Sequence, residues 1–307
     1  MIKCLLWVSG NCLSENFSVC HKISNDNTEI MGFTTFSENA FFKTYAGFHC
    51  YDINEIEFLN PDIVVVFEHD EKFAYDISKL LQGKGIDEWK IINYQIFNRY
   101  GFDLNKYLEI KKHTPSIFSP NCWGGITYNY LKLQFTSPLI NMFESRSDFL
   151  KLMCNLKHYM NCELSLKSMV YDKNLKHDFP VIGCDDITLY CNHYKTFEEA
   201  SSSWERRKSR INYDNIFVMF FCETQNEVDD FLKIPYDNKI CFINFKSSSI
   251  RSNHNVIYIN YKDSSKLKDL YFWQVIINMS KGVYICYDIF SLLTHSNSSM
   301  PSMFGNT

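Results

Sequence analysis

Pro61-Asp62-Ile63-Val64-Val65-Val66-Phe67 constrains the fold of this chain more than any other stretch. A β-branched run that follows a Pro-Asp turn and shows no polar alternation is a strand covered on both faces, and such strands belong to parallel sheets. Parallel neighbours need crossover connections, so helices must flank it. The residues on either side supply them. Lys3–Val8 is apolar and precedes Ser9-Gly10-Asn11, which predicts a first strand and a turn into a helix over Glu15–Ile23, with a second strand at Glu29–Phe33. Between Asp70 and Gln82, Phe73, Ile77, Leu80 and Leu81 recur at helical spacing, Gly83 and Gly85 close the helix, and Lys90–Tyr94 supplies the next strand. The expected class is α/β, with a small doubly wound parallel sheet at the N-terminal end.

The order of features over Asn60–Val66 and Gly85–Ile92 also resembles the Rossmann-like segment of bacterial polysaccharide-modifying proteins and sugar-nucleotide enzymes, over roughly the first third of the chain. A dinucleotide site needs closely spaced glycines after the first strand, where the backbone must approach a pyrophosphate. Only Gly10 stands there. The expectation is therefore a degenerate domain used for packing, dimerisation or substrate handling, with nucleotide binding at the helix start as the alternative. Glu68, His69 and Asp70 follow the buried strand at an edge where open sheets place ligands, although a solvated loop is the preferred reading.

With 307 residues, 46% of them hydrophobic and 21% charged, the chain can bury full cores, and two domains are expected. Lysines 106, 111 and 112 and His113 sit among polar residues and mark the crossing, so the domains are placed at 1–110 and 111–293, with 294–307 as a frayed tail. A net charge of -4 argues against nucleic acid as the main partner. Twelve cysteines scattered without paired spacing fit reduced thiols and a cytoplasmic location better than a disulfide scaffold. No run approaches the ~18 apolar residues of a membrane span. Peripheral membrane association and homo-oligomerisation stay open.

Chemistry is concentrated in the second domain. Ile117–Gly125, IFSPNCWGG, reads as a strand that delivers Cys122 to a tight loop, with the amides of Trp123, Gly124 and Gly125 as an anion or oxyanion site. The bland alternative is a turn with a buried thiol. Phe149, Leu150, Met153, Leu156 and Tyr159 form a helical stripe best read as core. Asp185 and Asp186 open an alternating strand, Ile187–Tyr194, that carries His193 near its end. Thr196 caps a helix that ends in Arg206, Arg207, Lys208 and Arg210. Those cations complement the helix dipole, and the functional alternative is a phosphate clamp of Arg206, Arg207 and Arg210. Strands are expected at Asn215–Phe221, Lys239–Asn244 and Val256–Tyr261, and helices at Asn226–Ile234 and Leu267–Met279. There is no internal repeat, Walker loop, HExxH or paired-cysteine metal motif, so no metal site is expected.

Asn121–Gly125, Thr136–Pro138, Pro180-Val181, Asp185–Ile187, His193-Tyr194, Glu199-Ala200, Trp204–Arg207 and Arg210–Asn212 follow one another in the order of a bacterial family labelled exopolysaccharide biosynthesis protein, first catalogued as a domain of unknown function. The resemblance runs from about 114 to 245. It implies a part in building capsule, exopolysaccharide or lipopolysaccharide, and no catalytic residue.

Three readings follow. In the first, Cys122 is the nucleophile, His193 the base and Asp185 or Asp186 the orienting acid of an acyl transfer from a donor such as acyl-CoA to a sugar or lipid-linked saccharide. In the second, Asp185 and Asp186 hold a divalent metal or act as base in a glycosyl or phosphoglycosyl transfer from a sugar nucleotide, with the arginines on its diphosphate and Cys122 structural. The third is a non-catalytic carbohydrate-binding assembly protein.

Overall fold

In a computed structural model, the described residues are 1–10, 12–25, 27–36, 44–45, 47–247, 253–262, 265–280, 286–294 and 304–305. The chain forms two compact units, Met1–Lys112 and His113–Thr307.

The first unit contains β1 (Ile2–Val8), α1 (Cys12–Glu15), α2 (Ser18–Asn25), β2 (Thr28–Thr34), β3 (Thr44–Tyr45), β4 (Phe48–Tyr51), α3 (Ile56–Leu59), β5 (Ile63–Phe67), α4 (Glu71–Gly83), β6 (Ile91–Asn93) and α5 (Leu104–Lys112). Its sheet has the order β3-β4-β2-β1-β5-β6, and every pairing is parallel except β3 with β4. All five residues of β5 are buried, as a strand covered on both faces must be. Leu5, Trp7, Val64 and Val66 pack with Ile77 and Leu81 of α4, while the alternate residues face the other side. Asp70 caps α4 through its side chain on the Phe73 amide, at 2.8 Å. The single helix expected over Glu15–Ile23 is instead two. Asn16 turns its side chain back onto the Cys12 carbonyl at 3.0 Å, a local bond that competes with helix continuation.

The second unit contains β7 (Ser116–Phe118), α6 (Trp123–Tyr130), β8 (Phe143–Glu144), α7 (Arg146–Cys154), α8 (Leu156–Asn161), β9 (Leu164–Asp172), β10 (His177–Cys184), β11 (Ile187–Tyr190), α9 (Phe197–Lys208), β12 (Ile216–Cys222), α10 (Gln225–Leu232), β13 (Lys239–Ile243), β14 (Val256–Tyr258), α11 (Phe272–Ser280), β15 (Cys286–Tyr287), α12 (Ile289–Leu293) and β16 (Phe304–Gly305). A parallel sheet of order β14-β13-β12-β7 lies beside an antiparallel sheet of order β8-β11-β10-β9. The protein is thus α/β in both units. Phe149 of α7, Phe220 of β12 and Phe231 of α10 stack at 5.5 and 5.9 Å between ring centroids, and the stripe from Phe149 to Tyr159 is core. The tail expected over 294–307 lies, apart from Thr294 and the β16 pair, outside the described residues. No helix among the described residues is long and apolar enough to cross a membrane.

Candidate active site

The loop expected around Cys122 is a helix start. β7 ends at Phe118, Ser119-Pro120-Asn121 turn the chain, and Cys122 is the N-cap of α6. Two side chains of the turn hold it. Asn121 Oδ1 accepts the Trp123 amide at 3.0 Å, and Ser119 Oγ accepts the Gly124 amide at 2.9 Å while donating to the Asn121 carbonyl at 2.8 Å. The amides of Trp123 and Gly124, expected to serve an oxyanion, are therefore engaged inside the turn. Gly124 is needed for close approach rather than flexibility: a Cβ there would stand 3.0 Å from Ser119 Oγ and 3.3 Å from the Ile117 carbonyl oxygen. Gly125 lines a cavity.

His193, 71 residues further along, brings its Nε2 to 3.7 Å from Cys122 Sγ. That is hydrogen-bond range for sulfur. Cys122 is half-buried and in no disulfide, and its place at the start of α6 puts it at the positive end of the helix dipole, which favours negative charge. Burial lowers the His193 pKa below its ordinary 6.5, His177 adds to the shift, and Asp172 opposes it. The imidazole is consequently neutral at pH 7, the form that can take a proton.

Asp185 and Asp186 do not join this pair. They form the turn between β10 and β11, whose register runs from Cys184 opposite Ile187 to Val181 opposite Tyr190, so the turn and His193 lie beyond opposite ends of β11. Asp185 Oδ2 meets His158 Nε2 at 2.7 Å. Asp186 accepts from Lys151 Nζ at 2.9 Å and from the Tyr159 hydroxyl at 2.7 Å. The acid whose charge acts on His193 is Asp172, at the tip of the β9–β10 hairpin.

The arginines do not form a clamp either. Arg207 is buried, donates to the Ile140 carbonyl at 3.1 Å and to the Tyr194 hydroxyl, and lies with its guanidinium 5.6 Å from the Phe135 ring centroid. It ties the chain just after His193 to the cavity wall. Arg206 is exposed, and Arg210 lies past the end of α9 at Lys208, so the two do not share a helical face.

Cys122 and His193 open onto a cavity of about 680 Å³ within the second unit. Ile126, Phe135, Ile140, Phe143, Phe221 and Trp273 supply apolar wall, and Asn121, Asn129, Asn141, Asn192 and Glu144 the polar part, with no lysine or arginine among the described residues of the lining. Asn121 Nδ2, Asn192 Oδ1 and both Glu144 carboxylate oxygens are buried with no hydrogen-bond partner among the described residues. Unpaired buried polar atoms are costly, and their grouping around one cavity marks a place where a ligand can complete them. Burial raises the Glu144 pKa well above the ordinary 4.5, and the Asp148 charge adds to the shift, so the protonated carboxyl, which can donate, is favoured. Glu144 gave no sign of this in the sequence, because it stands as one acid in the short run Met142-Phe143-Glu144.

Fold and site define an α/β protein whose second unit holds a thiol–imidazole pair at a mostly apolar cavity. The chain belongs to the family described as Domain of unknown function (DUF1919), which matches residues 93–291, more than half of its length. It is also similar to an "Uncharacterized protein" of Haemophilus influenzae (strain ATCC 51907 / DSM 11121 / KW20 / Rd), with 28% identity over 156 residues, which span 49% of this chain and 73% of that protein.

Proposed function

We propose that the protein is a thiol-dependent transferase that moves an acyl group onto a saccharide hydroxyl in the making of a bacterial surface polysaccharide. The approach of His193 Nε2 to within 3.7 Å of Cys122 Sγ, beside the cavity, carries this reading. Neutral His193 takes the thiol proton, and Sγ attacks the carbonyl carbon of a thioester donor such as acyl-CoA. The donor thiolate leaves with the imidazolium proton. His193 then takes the proton of the acceptor hydroxyl, whose oxygen attacks the acyl-enzyme. The protonated His193 returns that proton to Sγ as Cys122 is released.

With the Trp123 and Gly124 amides already engaged, Glu144, whose protonated form burial favours, is the acid in the wall that a small side-chain movement could turn towards a polar atom of the substrate. The rest of the lining suits a neutral sugar. Four asparagines offer amide groups to hydroxyls, and Trp273, 47% exposed, offers an indole face for stacking. No lysine or arginine lines the cavity among the described residues, so the diphosphate of either donor, acyl-CoA or a sugar nucleotide, would lie outside it, and the thiol–imidazole pair is what favours acyl transfer.

The test is incubation of the reduced protein with short- and long-chain acyl-CoA, followed by intact and peptide mass spectrometry. An acyl adduct on Cys122 that is absent in Cys122→Ala, forms slowly in His193→Ala, and is discharged by added saccharide supports the reading. No adduct across the donor series, or an adduct that persists in Cys122→Ala, overturns it.

A further inference from the structure

A second constellation lies at the other end of the β10–β11 hairpin. His158 lies within α8 and Cys162, four residues on, caps its C-terminal end, so both side chains project from the same side. The β10–β11 turn brings Asp185 against them. His158 Nε2, Cys162 Sγ and an Asp185 carboxylate oxygen all lie within 4.8 Å of one another. The pairwise distances are 2.7 Å from Nε2 to Asp185 Oδ2 and 3.6 Å from Sγ to Nε2.

We propose that His158, Cys162 and Asp185 bind one thiophilic divalent transition-metal ion of the zinc type. The donor set is the first argument. A thiolate, an imidazole and a carboxylate together are the ligand classes that zinc takes, and three protein ligands leave a fourth tetrahedral position for water or another ligand. Geometry is the second. Zinc lies about 2.0 Å from nitrogen and about 2.3 Å from sulfur, which puts tetrahedral N···S edges at roughly 3.5 Å. The observed 3.6 Å therefore needs no adjustment. The shorter His158–Asp185 contact is a hydrogen bond. The ion takes the place of that hydrogen bond: His158 binds through Nε2 as the neutral tautomer with its proton on Nδ1, the Cys162 thiol proton passes to solvent, and the N···O edge widens to roughly 3.3 Å.

The surroundings brace this arrangement. Asp186, next to Asp185, is held by Lys151 and Tyr159, and Tyr159 is the residue after His158 on α8. The Cys184 thiol lies behind Cys162, interacts with it, and accepts burial on the core side of the turn. No such support is needed for a surface ion pair. Asp185 and Asp186, which fall outside the Cys122 site, thereby gain separate roles, one as ligand and one as brace. The spacing of these donors is invisible as a motif because the ligands come from a helix end and a hairpin turn.

The test is a Co2+ titration of the full reduced chain, read by absorption. A tetrahedral site with one sulfur ligand gives a thiolate-to-cobalt charge-transfer band and intense visible d–d bands that saturate at one ion per chain and are displaced by Zn2+. Cys162→Ser, His158→Gln and Asp185→Asn should each lose or strongly weaken the signal, whereas Cys122→Ser should retain it. Asp186→Asn, which keeps the three ligands and removes the brace, should weaken affinity about tenfold. These side chains are at least partly exposed, and circular dichroism establishes that the variants are folded. Protection of Cys162 from alkylation by Zn2+, read by peptide mass spectrometry, gives a second measurement. No cobalt band in the reduced protein, a band that survives Cys162→Ser in a folded variant, or one lost equally in Cys122→Ser overturns the proposal. None of these outcomes bears on the Cys122–His193 reading.

Discussion

Each unit ends a buried parallel strand in a turn that starts a helix with a cysteine, and the two cysteines meet opposite fates. In the first unit β1 leads to Cys12, only 4% exposed, whose thiol is pushed up to about 11 by burial, with Glu68 and Glu15 adding to the shift. The nearby imidazole is occupied on both nitrogens, His69 Nε2 with Glu15 at 3.1 Å and Nδ1 with the Tyr94 hydroxyl at 2.8 Å. In the second unit β7 leads to Cys122, half-buried beside a neutral His193 and a cavity. The strand-turn-helix device is therefore not itself a reactive site. What differs is access for a substrate and a base with a nitrogen to spare.

The sharpest way to break this comparison is to exchange the two thiols' roles by mutation. Cys122→Ala should reduce acyl transfer by about 10³-fold or more, and Cys12→Ala should leave the rate within about twofold, as measured by product formation under saturating donor. Equal losses from both would dissolve the distinction. Alkylation of the native protein by iodoacetamide should modify Cys122 on the order of 100-fold faster than Cys12, as followed by peptide mass spectrometry.

Arg207→Leu comes next in size. It leaves the Ile140 carbonyl and the Tyr194 hydroxyl without a buried donor, and should cost about 2–4 kcal/mol in denaturant unfolding, whereas Arg206→Leu should change stability by less than about 0.5 kcal/mol. Smaller still is the glycine pair. Gly124→Ala forces a contact of 3.0 Å with Ser119 Oγ and should cost about 1–3 kcal/mol, while Gly125→Ala meets Ile140 at an ordinary 3.5 Å and should be tolerated.

The pH dependences are finer tests. Because burial lowers the His193 pKa below 6.5, transfer should hold through neutral pH and fall only as pH drops below that value. A rate that falls on entering pH 7 from above would place the working base elsewhere. Glu144 behaves in the opposite sense. Its folded-state carboxyl titrates above its unfolded value near 4.5, so its contribution to stability is fully present below that pH and is lost as pH rises towards the folded-state value. Glu144→Gln should therefore raise the melting temperature relative to wild type at pH 8, and the gain should vanish at pH 4. A difference that is the same at both pH values would mean that Glu144 is not buried as a neutral acid.

Much of the fold was legible because runs such as Ile63–Phe67 and Ile216–Cys222 are apolar throughout, which requires cover on both faces wherever they sit. The site was legible only in part. Cys122 and His193 were visible as residue types at strand ends, but Trp123, Gly124 and Gly125 were read as a tight loop with amides open to an oxyanion, whereas the turn's own side chains claim the amides of Trp123 and Gly124. Asp185 and Asp186 looked close to His193 because they are close in sequence. The four residues of β11 carry the chain roughly 13 Å between them, a distance that strand rise alone implies. Arg207 looked like surface charge on a basic helix end, and burial against Phe135 could not be read from its neighbours. Glu144 carried no local signal at all.

The sequence by itself determined the buried parallel strands such as β5 and β12 and most of the helices between them, since hydrophobic pattern and turn residues act over a few residues. Only the tertiary structure decided which of the many cysteines, histidines and acids share a site. Cys122 with His193, and His158 with Cys162 and Asp185, are brought together by sheet register and helix packing. Those contacts join distant segments, whereas charge and burial at each residue are set by neighbours that the local chain does not specify.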